Sequence, residues 1–357
     1  MKSEKCFDYI VKIGGTMNKS VIGYAFMIML TPHFLMSLSK SDCSISSLDT
    51  VMLGNTQQWI YVNGSDINNP VLLFLHGGPG FPSMPYSHFD SELLSEHFIV
   101  VHWDQLGAGK SYNQQINPLD MSVERFRANT HELIQILKHR FNKEKVFLIG
   151  YSWGSCLGLY SVIDHPEDIH AYIGMGQTVD LLQGEIDGYN FTLQKAVELD
   201  DSVAFRTLEE IGIPPFRGGM ESLIEHRKLL GKFGGAFKSI SYPEIEQIRK
   251  SSPIYTEHDQ GNYFQGYGFS YHHLWNQVMK INFFNEKTDL DVPVYFFEGR
   301  YDYGTPYALV EKYFEIITAP HKEIIWFENS GHFINLEETE RYQAQLVRIA
   351  EKTLVDK

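Results

Sequence analysis

The stretch Gly150-Tyr151-Ser152-Trp153-Gly154 follows the unbroken apolar run Val146-Phe147-Leu148-Ile149. It reads as a strand that turns sharply into a helix. Such a turn sets one hydroxyl, that of Ser152, on an exposed apex. Glycines at the two flanking positions relieve crowding there, and the first N–H groups of the following helix point at whatever binds beside the serine. This is the geometry of a nucleophile. A chance GxSxG in a glycine-containing loop is the plainer alternative, and the strand-turn-helix context weighs against it.

Continuous apolar runs rich in β-branched and aromatic residues recur at 71–75, 98–102, 146–149, 171–175, 292–297 and 323–327. Runs of this kind suit strands covered on both faces, as in a parallel sheet. Residues 58–62 read as an earlier strand, followed by turn chemistry at Asn63-Gly64 and Asn68-Asn69-Pro70. Helical segments lie between the strands, most clearly over residues 123–141. Ser122 can cap that helix, Glu124 complements its dipole, and Phe126, Leu133, Leu137 and Phe141 share one face. The alternation predicts an α/β fold with a mostly parallel, doubly wound sheet.

The alternation breaks over residues 178–288, where charged helical segments, Pro214-Pro215, Gly218-Gly219 and Gly234-Gly235 replace buried strands. This predicts an inserted helical cap domain, with the core formed by residues 46–177 and 289–357. Tyr263, Phe264, Tyr267, Phe269, Tyr271 and Trp275 crowd the end of the insertion. Aromatics at this density build the core of a cap, and a cap over an active site also turns one face to the ligand.

A chain of 357 residues that is 43% hydrophobic can bury a large core. Its formal net charge of −14, spread over Asp and Glu, argues against a nucleic-acid partner, which needs clustered Lys and Arg. Cys6, Cys43 and Cys156 make neither a disulfide framework nor a Cys-rich zinc site. Cys156, one helical turn beyond Ser152, reads as a packed core thiol. Residues 21–38 are almost wholly apolar and follow Lys2, Lys5, Lys12 and Lys19. The run approaches the ~20 residues that span a bilayer, and Ser37-Leu38-Ser39 offers small residues for a signal peptidase. Residues 1–45 are therefore expected to be a leader, either a signal peptide or a membrane anchor, and the protein to be exported or membrane-associated. Pro32 and His33 interrupt the run, so an apolar helix packed on a cytoplasmic protein is the alternative.

A serine hydroxyl is a poor nucleophile by itself. It needs an adjacent base, and the base needs an acid that fixes its tautomer. Asp302, in Gly299-Arg300-Tyr301-Asp302, lies just past the run at 292–297, on a loop of the kind that leaves the carboxyl edge of a parallel sheet. His332, in Ser330-Gly331-His332-Phe333, lies just past the last run. Of fifteen histidines, this position singles it out. The order Ser152, Asp302, His332 is the one expected for a serine elbow on this sheet. Acyl transfer also creates an oxyanion, and one preorganised donor to it is worth about 10²–10³ in rate. The Trp153 N–H supplies one donor. The glycine-rich loop His76-Gly77-Gly78-Pro79-Gly80 supplies the other, assigned to Gly78. No GxxxxGK[ST] pattern follows, so this is not a phosphate loop.

HGGPG at 76–80, Trp103-Asp104-Gln105-Leu106-Gly107-Ala108-Gly109-Lys110-Ser111, GYSWGS at 150–155, GRYD at 299–302 and SGHF at 330–333, in that order and spacing, resemble the α/β-hydrolase superfamily. Within it the chain is similar to the proline iminopeptidase (prolyl aminopeptidase) group of serine peptidases, from residue 58 onward and less closely through the cap. The resemblance implies a lidded core, release of an N-terminal residue from a small peptide, and no metal or organic cofactor. Leu106 departs from the arginine usual in that loop, and Tyr151 from a common glycine. The family holds the substrate amine with cap carboxylates. Glu185 is the best candidate for that role and Glu209 and Glu210 follow, although any one of them could be a solvated helix-face charge. An esterase or lactonase acting on a small acyl substrate would use the same machinery. An Asp-nucleophile dehalogenase or epoxide hydrolase is disfavoured by the serine. A catalytically silent ligand-binding protein on the same scaffold is disfavoured by the intact Ser, Asp and His.

Overall fold

The computed structural model describes residues 43–355 and contains the strands β1 (Ile45–Leu53), β2 (Thr56–Gly64), β3 (Val71–Leu75), β4 (Ile99–Asp104), β5 (Val146–Tyr151), β6 (Ile169–Met175), β7 (Val294–Gly299) and β8 (Lys322–Phe327). They form one sheet in the order β1-β2-β4-β3-β5-β6-β7-β8. β2 runs antiparallel to both β1 and β4, and the remaining neighbours are parallel. This is the expected α/β-hydrolase fold class. β1 was not foreseen: at the sheet edge it is only half-buried, with Ser46, Leu48 and Met52 exposed, and Ser46, Ser47, Asp49 and Thr50 interrupt its apolar residues, so it shows no continuous apolar run. The apolar segment 21–38 lies outside the described residues. Among those described, no helix is long and apolar enough to cross a membrane.

β3 and β4 are buried along their whole length because both faces of the sheet are covered. Side chains alternate across a strand. Leu73 and Leu75 therefore join one apolar layer, with Leu148 and Phe296, while Leu72 and Phe74 join the other, with Phe147 and Phe297. Helices α1 (Val123–Phe141) and α2 (Trp153–Asp164) cover the first layer through Phe126, Leu133, Leu137 and Leu157, all almost fully buried. Full burial of one such side chain is worth about 1.5–3 kcal/mol, well above the spread of helix propensities, so packing holds α1 in place. Its ends are fixed locally: the Ser122 hydroxyl accepts the Arg125 N–H at 3.2 Å, and Asn142 closes the helix in the left-handed region at φ 51°.

Between β6 and β7 the chain forms α3 (Leu181–Glu198), α4 (Ser202–Ile211), α5 (Gly219–Lys232), α6 (Tyr242–Lys250) and α7 (Glu257–Val278). The insertion leaves and rejoins the sheet through a paired neck, where Leu181 N–H meets Ile281 O at 3.1 Å and Phe283 N–H meets Val179 O at 2.8 Å. It has a small core of its own around Tyr189, Leu208, Leu223 and Tyr271. After β7 come α8 (Tyr307–Ile316) and, closing the second layer with Leu346 and Ile349, α9 (Thr339–Val355).

Register then places the site. Leu75 pairs with Gly150, Tyr151 with Met175, Met175 with Phe297 and Gly299 with Phe327. The carboxyl ends of β3, β5, β6, β7 and β8 thus finish along one rim. Strand order reverses between β3 and β5, and a crevice at such a switch point is where open α/β sheets bind ligands.

Candidate active site

Ser152 sits between β5 and α2 at φ 53° and ψ −118°, a backbone conformation rare for a residue with a Cβ. Such strain costs of order 1–3 kcal/mol and persists where neighbours over-determine it. Here the Ser152 N–H donates to Met175 O at 3.0 Å, while its carbonyl accepts the Ser155 N–H at 2.8 Å and hydroxyl at 2.5 Å. The flanking glycines are steric necessities. A Cβ on Gly150 would lie 2.5 Å from Gly154 O, and one on Gly154 only 2.0 Å from Leu75 O. Cys156 is a fully buried free thiol, as expected, and burial raises its pKa.

Asp302 is fully buried on the loop after β7. Its Oδ1 accepts the Gly304 and Thr305 N–H groups at 2.8 and 2.9 Å, and its Oδ2 the Thr305 hydroxyl at 2.8 Å. Oδ2 also faces His332 Nδ1 at 2.7 Å. A carboxylate only accepts, so the proton of a neutral His332 rests on Nδ1 and Nε2 keeps its lone pair. Packing sets the two loops beside Gly176 and beside Tyr151, the residue before the serine. A Cβ on Gly176, directly after Met175, would lie 3.1 Å from His332 Nδ1, and the Tyr151 and His332 rings are 4.8 Å apart. Glu298, buried at the end of β7, is pushed well above the usual carboxylate range by desolvation and secondly by the charge of Asp302.

The HGGPG loop covers the elbow. A Cβ on Gly77 would lie 3.3 Å from Ser152 Cβ, and Gly78 takes φ 115°, which favours glycine. Trp153 opens α2, where the first N–H groups have no intrahelical partner. Gln105, to which the sequence attached no role, ties these parts together: its side chain donates to His76 O at 3.1 Å and accepts the Trp153 indole N–H at 3.1 Å. The Gln105 N–H donates to His76 Nε2 at 3.1 Å, so the proton of that ring lies on Nδ1, facing Gly77 O at 2.9 Å. Burial holds His76 neutral, its pKa lowered to about 4. It is a loop brace with no lone pair left over.

Glu185 is buried on α3, where one oxygen pairs with Arg227 of α5 and the other, Oε2, has no hydrogen-bond partner among the described residues. Glu209 and Glu210 are exposed on α4, as solvated helix-face charges are. The α7 helix rests on the core loops through small residues one turn apart: Ser270 donates its hydroxyl to Gly107 O at 3.1 Å, and Gly266 would meet Gly107 O at 2.6 Å if it carried a Cβ. On the same helix Tyr263 and Tyr267 meet Phe81, just past HGGPG, at 5.1 and 6.0 Å. Leu106 is buried in the apolar core, so no charge stands at its position.

Residues 70–339 match the family described as the alpha/beta hydrolase fold. The chain belongs to that family. This hydrolase is 31% identical over 312 residues to a probable aminopeptidase of Bacillus subtilis, covering 86% of this chain and 97% of the relative. It is 26% identical over 275 residues to a proline iminopeptidase of Heyndrickxia coagulans, covering 77% and 88%. A solved proline iminopeptidase of Mycobacterium smegmatis superposes with a TM-score of 0.65 at 18% identity, covering 87% of this chain and all 100% of that one. An esterase of Exiguobacterium antarcticum does so at 0.55 and 18%, covering 85% and 98%. The two structures share the fold of the hydrolase.

Elsewhere in the hydrolase, His131, His165 and Asp168 place ligand-type atoms within 4.8 Å of one another. The two imidazoles stack at 3.7 Å with planes 21° apart, which directs their in-plane lone pairs along nearly parallel planes and away from a common point. Both Asp168 oxygens are engaged, one by Lys138 and one by Gln135 at 2.6 Å. The cluster fastens α1 to the turn after α2.

Proposed function

We propose that this hydrolase cleaves an N-terminal residue, of the proline type, from small peptides through an acyl-enzyme. Ser152 attacks the carbonyl carbon while His332 Nε2 takes its proton. Asp302 holds the Nδ1 proton and stabilises the imidazolium, and the N–H groups of Gly78 and Trp153 receive the oxyanion. The imidazolium then gives its proton to the leaving amine, and water repeats the sequence to free the acyl residue. The observation that carries this reading is the 2.7 Å His332–Asp302 contact at the rim where Ser152 stands in its strained turn. The buried Glu185 supports the choice of an amine-bearing substrate, because its unpartnered oxygen would gain a charge-assisted bond to an ammonium group. The names of the two sequence relatives, an aminopeptidase and a proline iminopeptidase, support the same reading. We place residues 178–288 over the site as its cap.

A second reading, an esterase acting on an uncharged acyl substrate, draws on the Arg227–Glu185 pair, which already neutralises that carboxylate. One pair of experiments separates them. Ser152→Ala is expected to lower turnover roughly 10³-fold or more and abolish fluorophosphonate labelling, with an unchanged melting temperature. Glu185→Gln is expected to raise KM for prolyl and other aminoacyl anilides and to leave short acyl esters unaffected. Wild-type hydrolysis of esters alone would select the second reading.

A further inference from the structure

We propose that residues 235–239 of the insertion form a positioning strap for the loops of Asp302 and His332, and that Glu337 fastens it. The inference rests on the assignment of Ser152, Asp302 and His332 given above. Gly235 O accepts the N–H of Tyr303, the residue after Asp302, at 2.8 Å. Ala236 O accepts the N–H of His332 itself, also at 2.8 Å. Consecutive carbonyls of one segment thus hold the loop of the acid and the loop of the base. Further along, the Lys238 and Ser239 N–H groups donate to Glu337 Oε1 at 2.5 and 2.6 Å, while Glu337 Oε2 accepts the Gly331 N–H at 2.6 Å. One carboxylate therefore clamps the strap to the residue before His332, by bonds stronger than neutral ones. Side chains follow the same path: Phe237 lies 5.6 Å from Phe333, and Phe191 of α3 stacks on Tyr303 at 3.7 Å. Gly331 permits the approach, since a Cβ there would come 2.4 Å from Ala236 O.

Residues 328–333 have no regular secondary structure of their own, yet a base must be held within a fraction of an ångström of its working position. The insertion supplies that hold, so it is part of the catalytic scaffold as well as a cover. Glu337 touches no reacting atom and is a positioning residue. Residues 235–239 must therefore stay seated while substrate enters past another part of the rim.

In Glu337→Gln the amide keeps one acceptor oxygen, so either the strap or Gly331 loses its partner. The full chain should then show a roughly 10- to 100-fold lower kcat and fluorophosphonate labelling rate, since a displacement near 1 Å costs about that much. KM should change little, the low-field proton resonance of the His332–Asp302 pair should broaden or vanish, and Glu337→Asp should restore part of the rate. Gly331→Ala, which pushes on Ala236 O from the other side, should behave alike. Wild-type rates and an unchanged resonance in both variants would overturn the strap. In the wild-type protein, the Tyr303 and His332 amides should resist hydrogen exchange together with the sheet, and exchange at open-loop rates would overturn it without any variant. Wild-type protein that fails to label at Ser152 would instead remove the triad assignment, and the strap with it.

Discussion

Asp302 is the residue on which tautomer, orientation and charge converge, and its four contacts decide what a substitution does. One oxygen is committed to the Gly304 and Thr305 N–H groups, and the other serves the Thr305 hydroxyl and His332 Nδ1. In Asp302→Asn the single carbonyl oxygen stays with the two backbone donors, which turns the amide N–H toward Nδ1. His332 must then accept at Nδ1 and carry its proton on Nε2, where it cannot receive one from Ser152. Turnover is expected to fall roughly 10³- to 10⁴-fold with KM and melting temperature close to wild type, as steady-state kinetics and a thermal scan would show. A loss below tenfold would mean that Nδ1 is not held as described. The places of Ser152, Asp302 and His332 just past strands of the sheet were legible because each of those strands shows as a recognisable run. Gln105 was not: it lay inside a quoted loop, but its work is to bridge His76 O and the Trp153 indole, and nothing in the local pattern reports a contact across 48 positions.

The elements follow the same division between local and distant causes. Helix α1 spans the residues expected because its cap, apolar face and left-handed stop are all local. β3 and β5 showed as continuous apolar runs because both of their faces are covered, whereas β1 at the edge is only half-buried and gave no run. β7 begins at Val294, two residues later than its apolar run, since Pro293 has no N–H for the ladder. The strap stayed hidden because Gly234-Gly235 reads only as a helix breaker, and its partners Tyr303, His332 and Glu337 lie far along the chain. The seat of α2 on the sheet gives a test at this scale. Gly154 brings the first turn against β3, where a methyl group would meet Leu75 O at 2.0 Å. Backbone cannot yield as a flexible side chain does, so Gly154→Ala should destabilise the protein by at least the 1–3 kcal/mol typical of overpacking. A urea titration would read this as a lower midpoint with an unchanged slope, and an unshifted midpoint would show that α2 has room to move.

Across the whole molecule, core and insertion meet at a seam whose charge state depends on pH. Asp104 ends β4, fully buried, and accepts the Lys110 N–H at 2.8 Å and the hydroxyl of Tyr255, which precedes α7. Lys110 in turn pairs with Asp259 in the first turn of α7 at 2.5 Å. Desolvation, only partly offset by these bonds, pushes Asp104 up from 3.8 to about 7. A carboxyl raised on folding binds its proton more tightly in the native than in the unfolded state, so its contribution is fully present below pH ~4 and is lost as pH rises through about 7. Each unit of separation is worth about 1.4 kcal/mol. Asp104→Asn keeps a carbonyl acceptor but cannot ionise, and therefore escapes this loss. Asp90, pushed up to about 6 by its own burial, is present in both proteins and cancels from the comparison. The melting temperature of Asp104→Asn relative to wild type should accordingly climb from about pH 4 to about pH 7 and level off above it. A difference that stays constant over that range would mean that the seam carries a fixed charge and that core and insertion are joined independently of Asp104.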